Sequence, residues 1–137
     1  MVTLTERKSR FTLLGKVSRR TAQAVRKQVC RLLLPVMQKV HTLTSDHGKE
    51  FADHEQIAET LHLKFYFAHP YAAWERGTNE NMNGLLRQYF PKKHDFQSVS
   101  HQEIEQAMSR LNFRPRKSTQ FITPVEVFYQ SSIALTT

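Results

Sequence analysis

The order of strand-like and helix-like segments limits the folds open to this chain more than any other feature. Val2–Thr5 alternates apolar and polar residues, Glu6–Ser9 is a polar turn, and Phe11–Val17 is again strand-like, so a hairpin is predicted. A helix, a strand, a second helix and a strand follow, and then only helices. Strands separated by helices are typical of an α/β domain, in which helices pack on a sheet.

Capping residues mark where four of the predicted helices begin. Thr21 precedes an apolar stripe at helical spacing, which Pro35 ends or kinks. Asp53 and Ser100 each stand three residues before a glutamine or glutamate, which is the pattern of a capping box. Thr123 is followed by a proline, which favours the first position of a helix. Each of these positions is therefore predicted to start a helix.

Two strands, a loop and one more helix complete the predicted order. The strands are expected at His41–Ser45 and Lys64–Phe67. Ala68–Gly77 contains Pro70 as well as its final glycine, so it is predicted to be a loop. A helix is expected from Asn79 to Tyr89, where a proline two residues later stops it.

The charge of the chain favours a polyanionic partner. The sequence has 20 lysine and arginine residues against 12 acids, for a formal net charge of +8. Ten of the basic residues fall within the first 40 positions, where the only acid is Glu6. A second basic group comes late: Arg110, Arg114, Arg116 and Lys117. Because an ordinary solvated surface mixes both signs, we interpret the excess as a nucleic-acid contact surface.

Several other classes find no support in the sequence. No glycine-rich phosphate loop occurs, and neither the seven histidines nor the single cysteine shows zinc-ligand spacing. Cys30 excludes an internal disulfide bond and is predicted to be a packed thiol. No apolar run approaches the ~18 residues of a membrane span, and the N-terminus has no apolar stretch of signal-peptide length. We therefore expect a cytoplasmic protein without a membrane partner.

Asp46 follows directly after the strand predicted at His41–Ser45. Functional groups in open α/β sheets collect at the carboxyl ends of strands. His47 and Gly48 come next, so the chain is able to turn away sharply and leave the carboxylate at the edge of the sheet. The alternative is an Asx turn or a helix cap, which aspartate often forms.

Glu80 lies one turn into the helix predicted from Asn79. Its helical face also carries Asn83, Gly84 and Arg87, a polar stripe opposite the apolar side. The alternative is an ordinary amphipathic helix. Taken with Asp46, however, Glu80 suggests a site for Mg²⁺, which prefers carboxylate oxygens and needs few protein ligands. Two such ions ~3.5–4 Å apart are a common arrangement in phosphodiester chemistry.

Three stretches carry a resemblance to a known family: TLTSDHGKEF, YFAHPYAAWERGTNENMNGLLRQYFPK and RLNFRPRKSTQFITPVEVF. They closely resemble the catalytic core of insertion-sequence transposases of the IS30 type, within the superfamily of DDE transposases and retroviral integrases. The resemblance extends from about Val2 to Phe128. It implies an α/β, RNase H-like fold, with a mixed sheet flanked by helices, and DNA transposition by strand cleavage and transfer with two Mg²⁺ or Mn²⁺ ions.

The resemblance also implies roles for individual residues. The second acid of the family falls on Asp46 and the third on Glu80, with 33 residues between them. Glu75 is a rival for the third acid, but it precedes the predicted helix and has no basic residue seven positions later. Arg87 falls on a basic residue thought to lie near DNA. Further DNA contacts are expected, on resemblance and polarity, at Lys49, Arg76, Asn79 and Asn83.

Two departures from the family pattern affect these expectations. His47 stands where relatives usually have asparagine. The first aspartate of the family lies on a central strand before the hairpin, and neither is present in these residues. We therefore expect a truncated core at residues 1–128 and a tail at 129–137, with DNA binding but no cleavage by this chain alone. The alternative is a non-catalytic DNA-binding remnant; the complete enzyme is expected to act on transposon ends and target DNA, as a homo-oligomer.

Overall fold

The structure is a computed structural model that describes residues 1–46, 48–68, 84–90, 98–115 and 122–129. The chain divides into two compact units. The first consists of Met1–Val2 with Gly15–Gly77, and the second of Thr3–Leu14 with Thr78–Thr137.

The elements in the described ranges follow the predicted order along the chain. The loop predicted at Ala68–Gly77 lies outside the described residues beyond Ala68. The helix predicted at Asn79–Tyr89 is described only from residue 84, and there it is helical at residues 84–86 and a turn at residues 87–89. In sequence they are β1 (Val2–Thr5), β2 (Thr12–Gly15), α1 (Ala22–Leu33), a 3₁₀ helix (Leu34–Lys39), β3 (Thr42–Ser45), a 3₁₀ turn (Lys49–Phe51), α2 (His54–Leu61), β4 (Lys64–Phe67), α3 (His101–Asn112) and α4 (residues 124–129). The predicted bounds of β1 and β4 are confirmed residue for residue. Strand β2 is shorter than predicted at both ends, and β3 is shorter at its start.

Helix α1 forms the centre of the first unit. Its N-terminus is capped as predicted, because the Thr21 hydroxyl accepts a hydrogen bond from the Ala24 amide at 3.2 Å. The helix packs against α2, and Val29 of α1 and Ile57 of α2 are completely buried. Burial of each such side chain contributes about 1.5–3 kcal/mol. After Leu33 the chain tightens into the 3₁₀ helix that contains Pro35.

Strands β3 and β4 form the sheet of the first unit. They pair in parallel, with Thr42 opposite Lys64 and Ser45 opposite Phe67. Exposure alternates along both strands, as expected for a sheet with one covered face. On the covered face, the rings of Phe65 and Phe67 contact each other and the ring of His54. These contacts hold the start of α2 against the sheet.

The capping box predicted at Asp53 is wrong, although α2 begins where it indicated. Asp53 occupies the N-cap position, but its side chain makes no capping hydrogen bond. Its carboxylate instead accepts a hydrogen bond from Arg26 Nε at 3.0 Å. The arginine of α1 competes successfully for the acid, and the resulting ion pair joins the two helices.

The second unit is built on the β1–β2 hairpin and α3. The N-cap predicted at Ser100 is confirmed: the hydroxyl accepts from the Glu103 amide at 3.1 Å, and it donates to the Glu103 carboxylate at 3.4 Å. Asn112, at the end of α3, bonds both backbone groups of Thr12, with its Oδ1 2.8 Å from the amide nitrogen and its Nδ2 2.7 Å from the carbonyl oxygen. The Asn112 side chain thus makes the two backbone hydrogen bonds that a neighbouring strand would otherwise make to Thr12.

An aromatic contact brings α4 onto the hairpin. The rings of Phe11 and Phe128 stack with centroids 4.4 Å apart, and the edge of Tyr129 meets both. The α4 start signal is confirmed as well, since the Thr123 hydroxyl accepts from the Glu126 amide at 3.3 Å.

Across the described ranges, the strands form two two-stranded sheets, β1–β2 and β3–β4. That the first, central strand of the family fold is missing from these residues stays a prediction. In that same part of the chain, no helix has the length and apolar character needed to cross a membrane.

Candidate functional site

Asp46 comes directly after β3, at the edge where the sheet of the first unit ends. The Ala68 amide donates to the Ser45 carbonyl at 2.8 Å, so the carboxyl ends of β3 and β4 are level. The Asp46 carbonyl accepts from the Gly48 amide and from the Ser45 hydroxyl, each at 3.0 Å. These bonds hold the main chain of Asp46, while the residue as a whole is exposed. The predicted place of Asp46, directly after a strand and in an exposed position, is confirmed.

Gly48 serves the turn after Asp46 in a different way from the one expected. Its backbone φ of −100° is open to any residue, so the turn does not depend on the conformational freedom of glycine. The restriction is space, because a Cβ at this position would lie 2.5 Å from a carboxylate oxygen of Glu50. The missing side chain therefore allows the Glu50 carboxylate to lie against the backbone of the turn.

Glu50 directs that carboxylate at Arg20, just before α1. Its Oε1 lies 2.8 Å from Arg20 Nη2. The hydrogen bond lowers the pKa of Glu50 below its ordinary value. The same bond, the charge of Glu50 and the charge of Asp46 together raise the pKa of the Arg20 guanidinium. Sequence reasoning did not single out either Arg20 or Glu50, and only the DHGKEF motif offered a signal for the latter.

Lys49 lies beside this pair, in the 3₁₀ turn, and its side chain is exposed. Its role in binding DNA, expected from its place in the motif, stays a prediction. His47, between Asp46 and Gly48, lies outside the described residues.

The other predicted site residues are described only in part. Glu80, Arg76, Asn79 and Asn83 lie outside the described residues, and so does the rival acid Glu75. Arg87 is described and exposed, in a turn that follows a short helical segment at residues 84–86. No atom of the described residues lies within 4 Å of a Cβ added at Gly84.

Glu6 stabilises the turn between β1 and β2, because its carboxylate accepts hydrogen bonds from residues of that turn. Burial raises the pKa of its carboxyl, but hydrogen bonds from the Ser9 hydroxyl and the Ser9 and Lys8 amides outweigh that effect and lower the pKa overall. The carboxylate is committed to the turn. Within the described part of the chain, no three histidine, cysteine, aspartate or glutamate side chains form a metal-binding group.

The basic residues of the first 40 positions are mostly on the surface. Six of them are exposed: Arg7, Lys8, Arg19, Arg20, Lys27 and Arg31. Arg110 and Arg114, from the later basic group, are exposed too. The cationic excess is thus accessible to a polyanion in both units.

Comparison with known proteins adds close relatives. No protein-family model matches the chain. The chain is 45% identical over 130 residues to the transposase for insertion sequence element IS4351 of Bacteroides fragilis, which covers 95% of this chain and 40% of that protein. It is 37% identical over 137 residues to transposase InsI for insertion sequence element IS30A of Escherichia coli, covering 99% of this chain and 36% of that protein. The chain thus spans about 40% or less of the length of these relatives.

A solved structure has the same fold. The crystal structure of the catalytic core domain of BIV integrase superimposes with a TM-score of 0.72, covering 98% of this chain and 88% of that chain at 21% sequence identity. The α/β fold expected from the resemblance, that of an integrase catalytic core, is confirmed.

Proposed function

Since the chain is a relative of the IS30-type insertion-sequence transposases, we propose that it forms part of a catalytic core that cuts and joins DNA strands in transposition. The observation that carries the proposal is the position of Asp46. An exposed carboxylate stands where two parallel strands end level, on a backbone that hydrogen bonds hold in place. Carboxyl ends of strands are where α/β folds build their ligand sites.

The residues at this edge fit a hard divalent cation. Mg²⁺ binds oxygen ligands and keeps several waters, so one or two carboxylates suffice to hold it. We infer that Asp46 and Glu80 are those carboxylates. When bound, such ions would polarise a phosphodiester and activate a water or hydroxyl group for attack.

The DNA would be held by the cations and amides around the two acids. Lys49 and Arg87 are exposed, and each is suited to bind a backbone phosphate. Arg76, Asn79 and Asn83 are proposed for the same role on the resemblance of their motif. The similarity to the transposase of the Escherichia coli insertion sequence element IS30A supports DNA as the substrate class.

DNA binding is tested by its salt dependence. If about five phosphates are contacted, the slope of log K against log[salt] is expected to be roughly −4 to −5. The measurement is fluorescence anisotropy of a labelled DNA duplex over a series of salt concentrations. Affinity that stays constant between low and physiological salt would contradict the proposal. Cleavage of the duplex that depends on Mg²⁺ would separate an active core from a remnant that only binds.

A further inference from the structure

The Arg20–Glu50 ion pair lies beside the candidate site, with its arginine largely exposed to solvent. The Glu50 side chain is 16% exposed and the Arg20 side chain 82%. Exposed pairs contribute little to stability, because solvent screens them and two long side chains lose freedom. Stability alone therefore does not explain why the turn after Asp46 is shaped around this pair.

Gly48 shows how far the turn is adapted to the pair. Any side chain at this position would displace the Glu50 carboxylate, since the Cβ would approach it to 2.5 Å. The DHGKEF motif thus joins three features. Asp46 follows the strand, Gly48 leaves space beside its backbone, and the Glu50 carboxylate occupies that space and bonds Arg20.

The Arg20 guanidinium is well suited to bind an anion from this position. It carries five N–H donors in a planar fork, which matches the oxygens of a phosphate. The bond to Glu50 joins only Nη2 to one carboxylate oxygen. Because Glu50 already restricts the long side chain, less conformational entropy is lost when an anion binds.

We propose that Arg20 is a DNA-binding residue of this site, held by Glu50 at the edge where β3 ends and aimed at a backbone phosphate of the DNA strand that reaches Asp46. Glu50 is then a positioning residue, and Gly48 provides the space that it needs. The inference rests on the proposed function and adds to it a contact that the sequence motifs did not assign.

The sign of the Glu50→Ala effect separates positioning from simple electrostatics. Removing a negative charge beside bound DNA should strengthen binding if Glu50 merely repels phosphate. If Glu50 positions Arg20, the same substitution should weaken binding severalfold, and this weakening should vanish in an Arg20→Ala background. Gly48→Ala should weaken binding less than Glu50→Ala, because it shifts the end of the flexible Glu50 side chain without removing the carboxylate or changing any charge.

The experiment compares these variants by anisotropy with a labelled DNA duplex at several salt concentrations. Arg20→Ala is expected to weaken binding roughly tenfold and to reduce the steepness of the salt slope by about one. Arg19→Ala removes the same charge from the adjacent, also exposed residue and is expected to have a clearly smaller effect. Thermal unfolding of each variant checks that the fold is retained.

The outcomes distinguish this inference from the function on which it rests. Wild-type protein without salt-dependent DNA binding would overturn both. Normal wild-type binding, with Arg20→Ala no weaker than Arg19→Ala or with Glu50→Ala binding more tightly, would overturn the role of Arg20 alone. The role of Arg20 would be supported if Arg20→Ala, Glu50→Ala and Gly48→Ala each weaken binding. In addition, Glu50→Ala and Gly48→Ala should cause no further weakening when they are combined with Arg20→Ala.

Discussion

Asn112→Ala should destabilise the second unit more than its small loss of volume suggests. Asn112 is 5% exposed and bonds both the amide and the carbonyl of Thr12, which is completely buried. Truncation leaves two buried backbone groups without these partners, at about 1–3 kcal/mol each. The expected loss is therefore about 2–6 kcal/mol, a large part of the stability of a typical domain.

The assay is chemical denaturation, combined with hydrogen exchange at the Thr12 amide. Asn112→Asp is the comparison variant: its carboxylate keeps the acceptor for the Thr12 amide, loses the donor to the carbonyl and adds a charge in a buried position. Both variants should lose stability and speed exchange of the Thr12 amide, because exchange of a buried amide follows the free energy of opening. A change below about 0.5 kcal/mol for Asn112→Ala, the scale of an ordinary surface substitution, would refute the reasoning.

Two further predictions concern charged groups. The pKa of Glu6 is lowered in the folded protein, so its contribution to stability should be present above the ordinary value of ~4.3 and lost as pH falls through the lowered pKa. Unfolding measured down to about pH 3 should show this loss in wild type and not in Glu6→Gln. Equal pH profiles for the two proteins would contradict it. The Arg26–Asp53 pair, with side chains 32% and 26% exposed, should give a coupling energy of no more than about 1 kcal/mol in a double-mutant cycle, and a value of several kcal/mol would contradict this estimate.

Local chemistry explains which parts of the fold were predictable from the sequence. Ser100 and Thr21 cap their helices through amides only three residues away, so the sequence contains all the information required. Asp53 has the same local pattern, but Arg26 lies 27 residues earlier and becomes its partner only after α1 and α2 pack. Capping predictions fail where a distant cation competes for the acid.

The same distinction applies to the candidate site. The place of Asp46 followed from strand periodicity and the next glycine. The reason for Gly48 did not, because it depends on where the Glu50 side chain lies. Arg20 stands 30 residues before its partner, and no periodic pattern connects the two. Likewise, the bonds between Asn112 and Thr12 span 100 residues, and only the folded chain brings these groups together.

Titration of Mn²⁺ into the isotopically labelled chain would show whether Asp46 and Glu80 hold one divalent cation. Mn²⁺ broadens the NMR signals of nuclei near its binding site, so the readout does not depend on activity. If the two acids share the ion, broadening around Ser45 and Gly48 should be saturable and reversed by competing Mg²⁺. Asp46→Ala and Glu80→Ala should each abolish it, while Glu75→Ala should leave it intact. Broadening that persists in Glu80→Ala, or disappears in Glu75→Ala, would show that Glu80 does not hold the ion.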